Sequence, residues 1–387
     1  MTPSLVIAGV ALGIWLYLVA FRGLFWLARE RDDRGEPAPL PCSDWPSVAV
    51  VIPARNEADM LPLSLGSLLA QDYAGKLAVV IVDDGSSDGT AKVAGAIAAD
   101  AIRAITVIHG EPPPPGWTGK VWAMQQGIAH AEAVKDAPDY LLLTDADIAY
   151  GPFAVTRLVA RATALRTVLT SLMVKLNCAS VSERALIPAF VFFFQMLYPF
   201  AWVNRSDAKT AAAAGGSMLV ERRALARAGG IAGISGALID DCALANLMKR
   251  QGPIWLGLSR DVVSLRSYPH LGDLRQMIAR SAYAQLGYSP LLLAATISGM
   301  ALTFLAPPVL AIFGGYPANV VAAGAWCLMT LAYLPILSFY RLSLVWAAAL
   351  PLIALAYLAF TLDSACLHWR GRGGQWKGRS QASLAKR

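Results

Sequence analysis

Residues 77–90 read LAVVIVDDGSSDGT, and this stretch decides the fold. Leu77 to Val82 is a continuous apolar run of the kind buried on both faces of a parallel sheet. It runs straight into Asp83 and Asp84, then into a Gly/Ser/Asp turn that opens a helical segment. Working outward, Val48 to Pro53, Ile105 to Ile108 and Tyr140 to Thr144 are further strands of the same kind, with helices expected at about 59–70 and 88–98. Strands alternating with helices predict an α/β domain. Each strand ends in polar or acidic residues, at the edge where open α/β sheets bind ligands.

Three acidic clusters carry the chemistry. Asp83, Asp84, Gly85 and Ser86 follow the second strand. Turn and cap chemistry, with Ser87 or Asp88 as N-cap, explains the end of that stretch but not two carboxylates leaving a buried strand. Thr144, Asp145, Ala146 and Asp147 follow another strand. Residues i and i+2 of an extended segment share a side, so Asp145 and Asp147 are expected to face one site. Like charges that close repel unless a cation lies beside them, and a hard divalent ion, Mg²⁺ or Mn²⁺, suits one or two carboxylates plus substrate phosphates. The structural alternative, an N-cap before Pro152, accounts for Asp147 but not Asp145. Asp240 and Asp241 precede a helical segment, Cys242 to Lys249. They either favour the helix dipole or supply a general base for a hydroxyl acceptor.

Composition points to a bilayer. Of 387 residues, 56% are hydrophobic and 15% charged, with mean hydropathy +0.49, too apolar for an ordinary soluble enzyme. Pro290 to Phe313, Ala318 to Tyr340 and Ser343 to Leu362 are each near the span length of about 20 residues. Leu5 to Phe21 is a fourth run, followed by Arg22, Arg29, Arg31 and Arg34, and reads as an uncleaved anchor with its amino end outside. Cys42, Cys178, Cys242, Cys327 and Cys366 form no CxxC pair and imply neither a disulfide framework nor a zinc site. Most of the net charge of +7 sits after Asp363, in Arg370, Arg372, Lys377, Arg379, Lys386 and Arg387, which suits anionic lipid rather than nucleic acid. Four full spans would place that tail outside, whereas its charge argues for inside. One run is therefore expected to be re-entrant or broken, either that of Pro307 and Pro308 or that of Pro351.

The order Ile52-Pro53-Ala54-Arg55-Asn56-Glu57, Asp83-Asp84-Gly85-Ser86, Asp145 to Asp147, then Asp240-Asp241 resembles family 2 glycosyltransferases of the GT-A fold. The resemblance covers residues 47–285. It implies an inverting enzyme with Pro53, Arg55, Glu57, Asp83, Asp84 and Ser86 around the nucleotide, Asp145 and Asp147 on metal and diphosphate, and Asp241, beside Asp240, as base. Gly119-Lys120-Val121-Trp122-Ala123-Met124 resembles the family's Gly-Lys-Ala-x-Ala-Leu segment and places Lys120 near donor phosphates. Gln125 stands where the family has Asn, and Asp240 where it commonly has Glu. The Gln-x-x-Arg-Trp motif of polymer-making members falls on Met277 to Ser281, where Arg280 alone remains as a catalytic candidate. Losing the Trp platform argues against processive synthesis. Gly116-Trp117-Thr118-Gly119-Lys120, Phe192 to Phe200 and Trp369 to Lys377 are most similar to hopanoid-cluster, "hopene-associated" glycosyltransferases.

The resulting expectation is an anchor at 1–28, a linker at 29–46, a Rossmann-like GT-A nucleotide-sugar-binding domain at 47–285, a transmembrane helix block at 286–365 and a basic tail at 366–387. The aromatic segment at 186–203 is either a buried helix or an interfacial one that guides a lipid. The expected activity is transfer of a sugar from a nucleotide-sugar, a UDP-sugar by resemblance, to a membrane lipid such as a hopanoid. The catalytic domain is expected on the cytoplasmic face of a multi-pass inner-membrane protein, with no nucleic-acid partner. Two alternatives stay open: sugar transfer to polyprenyl phosphate, and a non-catalytic nucleotide-binding membrane protein.

Overall fold

The computed structural model describes residues 2–35, 45–373, 375–376 and 379–380. Cys42, Lys377, Lys386 and Arg387 lie outside the described residues, as does half of the expected linker. The described chain divides into two compact units.

The first unit, 30–177 with 202–266, is built on an eight-stranded mixed sheet. Its strands are β1 Val48–Ala54, β2 Leu77–Asp83, β3 Ile105–His109, β4 Tyr140–Thr144, β5 Ile148–Tyr150, β6 Leu169–Lys175, β7 Ser217–Glu221 and β8 Ile254–Ser264. The four strands read from the sequence are all present, and they pair in parallel in the order β3-β2-β1-β4. Apolar residues that alternate to both faces bury β1 completely. Beyond β4 the sheet turns antiparallel through β7 and continues β6-β8-β5. These later strands escaped the sequence pattern, because β5 is three residues long, β6 and β7 hold the buried polar residues Thr170, Ser171 and Ser217, and β8 carries Arg260 and Asp261.

Strand order reverses at β1, so a crevice opens between the carboxyl ends of β1 and β4. Register fixes what stands there. Ala54 pairs with Asp83 and Val51 with Leu143, so the carboxylates after β2 and β4 emerge along one edge of the sheet.

The helix Gly119–Glu132 packs over β1 and β2 with unusually close approach. Thr118 caps it by accepting from the Val121 N–H, and Gly127 allows the contact: a Cβ there would lie 2.5 Å from Val51 Cγ1 and 3.0 Å from Val82 Cγ2. Helices Leu61–Leu69 and Thr90–Asp100 occupy the expected places. The second starts at Gly89 rather than at Ser87 or Asp88, while the Asp88 carboxylate still accepts from the Thr90 N–H at 3.0 Å.

The other unit holds 1–29, 178–201 and 267–383. Four helices in it are long and apolar enough to cross a membrane: Pro3–Ala20, Pro290–Phe313, Ala318–Tyr340 and Leu344–Trp369. A π-helical turn at Ala301–Leu305 interrupts the second, next to Pro307 and Pro308. The aromatic helix Val181–Leu197, with a Ser180/Glu183 capping box, belongs to this unit. Its Phe192 and Phe193 are buried in edge-to-face contact with Tyr333, Phe304 and Tyr357. Arg22 closes its carboxyl end by donating to the Met196 and Leu197 carbonyls at 3.1 and 3.2 Å.

Gly127→Val forces a branched side chain into Val51 and Val82. It is expected to cost about 1–3 kcal/mol and to lower the melting temperature of the detergent-solubilised protein. An unchanged melting temperature would contradict this packing.

Candidate active site

The loops after β1 and β2 are tied together before any ligand arrives. Asp84 N–H donates to the Ala54 carbonyl at 2.8 Å, and the Arg55 guanidinium donates to the Asp84 and Gly85 carbonyls and lies 3.6 Å from the Asp84 carboxylate. Asn56, held at φ 51°, donates its N–H to Ser86 Oγ and accepts from the Ser87 N–H, both at 2.9 Å. Its amide side chain suits that left-handed position. Glu57 N–H donates to Thr90 Oγ1 at 2.9 Å. Pro53, Arg55, Glu57, Asp83, Asp84 and Ser86 thus form one braced wall at the ends of β1 and β2.

The second wall is a charged cluster around one lysine. Thr118 starts the helix that carries Lys120, and the Lys120 ammonium lies 2.9 Å from Asp145 and 3.1 Å from Asp240. Burial disfavours its charge, but Asp145 and Asp240 outweigh that and hold it ionised, well above the ordinary lysine range. Asp241 lies beside them, its two oxygens accepting from the Gly215 N–H at 2.9 Å and from the Cys242 N–H at 2.7 Å. Burial first, and the Asp240 charge second, push the Asp241 carboxyl up to about 6, against the pull of Lys120. Neither carboxylate caps the helix Asp240–Lys249, whose N-cap is Ile239. Both stand in its first turn, where the helix dipole favours them as well.

Asp145 and Asp147 are not in an extended segment. They flank a turn between β4 and β5, so the alternation argument does not apply to them. Nor is an ion required to hold them apart. Asp145 pairs with Lys120, while Asp147 accepts from Arg266 Nε at 2.8 Å. The same guanidinium clamps both Glu57 oxygens at 2.6 and 2.8 Å. Burial, then the Asp145 charge, still raise the Asp147 carboxyl above its usual range despite Arg266. Among the described residues no three His, Cys, Asp or Glu side chains converge as a closed metal site. The donor set fits a divalent ion only in open form: the Asp145 carboxylate, 37% exposed, offers an oxygen edge that substrate phosphates would complete.

Arg266 and Gly215 were not legible as site residues. Arg266 stands two positions past the end of β8, outside every motif, and only the long-range pairing with Glu57 and Asp147 reveals it. Gly215 brings backbone where a Cβ would meet Lys120 Nζ at 3.3 Å and the Asp241 carboxylate at 3.5 Å. The Gly215-Gly216 pair ahead of β7 was its one sequence signal. Arg280 is exposed at the carboxyl end of helix Leu271–Ala279, in the unit of apolar helices.

Removing the guanidinium leaves Glu57 and Asp147 facing each other. Arg266→Gln is expected to destabilise the protein by up to about 3 kcal/mol, and Mn²⁺ should raise its melting temperature more than that of the parent. Equal melting temperatures for parent and variant, with and without metal, would contradict the bridging role.

Known proteins resemble this chain in sequence and in fold. Residues 49–228 match Glycosyl transferase family 2. A stretch of 104 residues is 31% identical to a 4,4'-diaponeurosporenoate glycosyltransferase of Staphylococcus aureus, covering 27% of this chain and 24% of that one. Another of 50 residues is 56% identical to an N-acetylglucosaminyltransferase of Mesorhizobium japonicum, covering 13% of this chain and 12% of that one. The chain thus spans under a quarter of the length of these curated relatives. Among solved structures, a mannosyltransferase from Pyrobaculum calidifontis in complex with GDP-Man and Mn²⁺ superposes with a TM-score of 0.57 at 17% identity, over 92% of this chain and 99% of that one. The braced wall at the ends of β1 and β2 and the Lys120 cluster lie on a Rossmann-like sheet of GT-A type, in a chain whose residues 49–228 match Glycosyl transferase family 2.

Proposed function

We propose that the protein is a membrane-anchored, inverting, non-processive glycosyltransferase that moves a sugar from a nucleotide-sugar to a hydroxyl of a membrane lipid. The observation that carries this reading is Asp241: a carboxylate fixed by two backbone N–H groups, with its pKa near 6, beside an acidic neighbour and a charged lysine. A general base works best when its pKa lies near the operating pH. The lipid acceptor is supported by the four apolar helices and by the relative that is a diaponeurosporenoate glycosyltransferase. A hopanoid is the narrower acceptor favoured by the sequence resemblance.

In this reading Asp241 takes the acceptor hydroxyl proton as that oxygen bonds to the anomeric carbon from the side opposite the diphosphate. The anomeric carbon–oxygen bond to the diphosphate breaks, configuration inverts, and the diphosphate leaves with its electron pair. Lys120, kept charged by Asp145 and Asp240, supplies a fixed positive centre for that leaving group. Asp240 raises the basicity of Asp241. Arg55, Asp84 and Asn56 brace the loops that would receive the nucleotide. Mg²⁺ or Mn²⁺, held at Asp145 and Asp147, would neutralise the diphosphate.

Polyprenyl phosphate is the second reading. That acceptor brings its own anion and needs no strong base, so Asp241 separates the two. With a hydroxyl acceptor, Asp241→Asn should retain donor binding and lose roughly 10²- to 10⁴-fold in turnover. Full turnover in that variant would overturn the base assignment.

The acidic limb of the rate profile provides a further test. Activity requires ionised Asp241 and is expected to fall as pH drops through about 6. Asp240→Asn removes the like charge that helps raise this carboxyl, so the limb should move to lower pH. Stability responds with the opposite sign. Because the folded pKa is raised, the folded state binds the extra proton between roughly pH 4 and 6, and stability is lost as pH rises through that window. Asp241→Asn should therefore melt no lower than the parent at pH 7, even as turnover collapses. A lower melting temperature at pH 7 would mean that the charge is structural.

A further inference from the structure

The start and the finish of the apolar helix block lie side by side. His368 stacks on Tyr288 with ring centroids 4.3 Å apart, Tyr283 N–H donates to Ser364 Oγ at 3.0 Å, and Tyr283, Leu293 and Ala365 share one core. Tyr283 and Tyr288 precede the helix Pro290–Phe313, whereas Ser364 and His368 end the helix Leu344–Trp369. A chain that leaves one membrane face and returns to it has crossed an even number of times. Three helices lie between those points, so one of them does not cross.

Packing identifies which. Leu310 and Ala311 pack with Ala318 and Ala322 beside Ala8, near the amino end of the anchor helix, and Trp15 Nε1 donates to the Thr303 carbonyl at 2.8 Å. Pro290–Phe313 and Ala318–Tyr340 thus run as a hairpin alongside the anchor. The last helix shares the helix Val181–Leu197 with that hairpin, whose Phe304 and Tyr333 meet Phe193 and Phe192, and differs from it in where its polar end lies. At its middle, Tyr357 Oη donates to the Leu186 carbonyl at 2.8 Å and its ring meets Phe193 at 4.9 Å. Near its end, Asp363 pairs with Arg275 at 2.8 Å. Leu186 and Phe193 belong to the helix Val181–Leu197, whose carboxyl end is held by Arg22 just past the anchor helix, so that end lies on the face where the anchor finishes. A crossing helix of 20 residues would carry its end about 30 Å away from that layer.

We propose that Leu350–Trp369 is an in-plane membrane helix that lies along the face of the segment 267–288, and that the bilayer's hydrocarbon covers its outer side. Its exposed residues are Leu352, Leu355, Ala359, Leu362, Cys366 and Trp369, spaced three and four apart as one stripe. The opposite side is buried, with Ile353, Ala354, Tyr357 and Ala365 at 7% exposure or less. The stripe is apolar and continues the exposed apolar surface of the neighbouring helices, at Leu291 and Leu292. The tail that starts at Arg370 then emerges on the face of 267–288, where its cations meet anionic headgroups. Three crossings, with the amino end opposite the tail, resolve the conflict between hydropathy and charge.

This inference rests on the membrane reading but not on sugar transfer. Its test is single-cysteine labelling of the full chain in sealed membrane vesicles with an impermeant maleimide, the native cysteines being replaced. The sites are Gly272→Cys, Tyr316→Cys, Val345→Cys and Ser383→Cys. The expected result is that 272, 345 and 383 label from one face and 316 from the other. Position 383 labelling from the face of 316 would overturn the inference, and so would 345 doing so. Labelling of every site from both faces of intact vesicles would overturn the membrane reading with it. A carboxyl-terminal epitope tag on the unsubstituted chain, digested by added protease, gives the same answer without variants: cleavage from the face of 316 contradicts the proposal.

Discussion

Acidic groups at the end of a buried strand are the constraint around which the α/β unit is organised. An apolar run such as Leu77–Val82 gains its stability by leaving water, whereas the carboxylates that follow it lose solvation as they approach the same low-dielectric edge. The chain meets this conflict with cations drawn from distant positions. Lys120 comes from a helix capped by Thr118 and serves Asp145 and Asp240; Arg266 comes from beyond β8 and serves Asp147 and Glu57. Because both cations are shared, each carboxylate is incompletely neutralised. Burial first, and the neighbouring charges of Asp145 and Asp240 second, raise the carboxyls of Asp147 and Asp241, and Arg266 and Lys120 offset this only in part. A site fully satisfied by its own side chains would have little attraction left for a diphosphate or an ion.

The parallel half of the sheet was legible because each of its strands is buried on both faces and therefore uniformly apolar, and because its ends are punctuated by Asp and Gly. β5 to β8 were not: β5 has three residues, the apolar runs of β6 and β7 are broken or opened by buried Thr170, Ser171 and Ser217, and β8 runs from buried Ile254 to half-exposed Ser264 through the charged Arg260 and Asp261. The site divided in the same way. Asp83, Asp84, Asp145, Asp240 and Asp241 were visible as carboxylates in sequence-local motifs, and Lys120 through its resemblance-bearing segment. Arg266 was invisible, because its partners Glu57 and Asp147 are 209 and 119 residues away. The Asp145–Asp147 argument failed for a local reason: a three-residue strand, β5, follows so closely that the chain must turn between the two carboxylates instead of extending through them.

In the unit of apolar helices a different term decides the arrangement. Between helices already surrounded by lipid tails there is little hydrophobic gain, so association depends on close packing and on the few polar groups that find partners. The hydrogen bonds from Trp15 to Thr303 and from Tyr357 to Leu186 supply such links. Aromatic rings supply the rest: Phe192, Phe193, Phe304, Tyr333 and Tyr357 meet largely edge-to-face. Hydropathy reads only the amount of apolar surface, not which neighbour covers it. The helix Leu344–Trp369 is as apolar as the two helices before it, and nothing in its composition sets it apart.

What sets it apart is where its polar residues find partners. Asp363, Ser364 and His368 fall in the last two turns and meet Arg275, Tyr283 and Tyr288, all of which lie ahead of the first helix of the block. A carboxylate, a hydroxyl and an imidazole left near the far face of a membrane would each need a partner there, and an unpaired carboxylate in hydrocarbon costs several kcal/mol. Satisfying them beside Tyr283 therefore returns the helix end to the face from which the block departs. The same contacts hold helix Leu271–Ala279 and the tyrosines after it against the last helix, so the start of the apolar block is fixed to its finish.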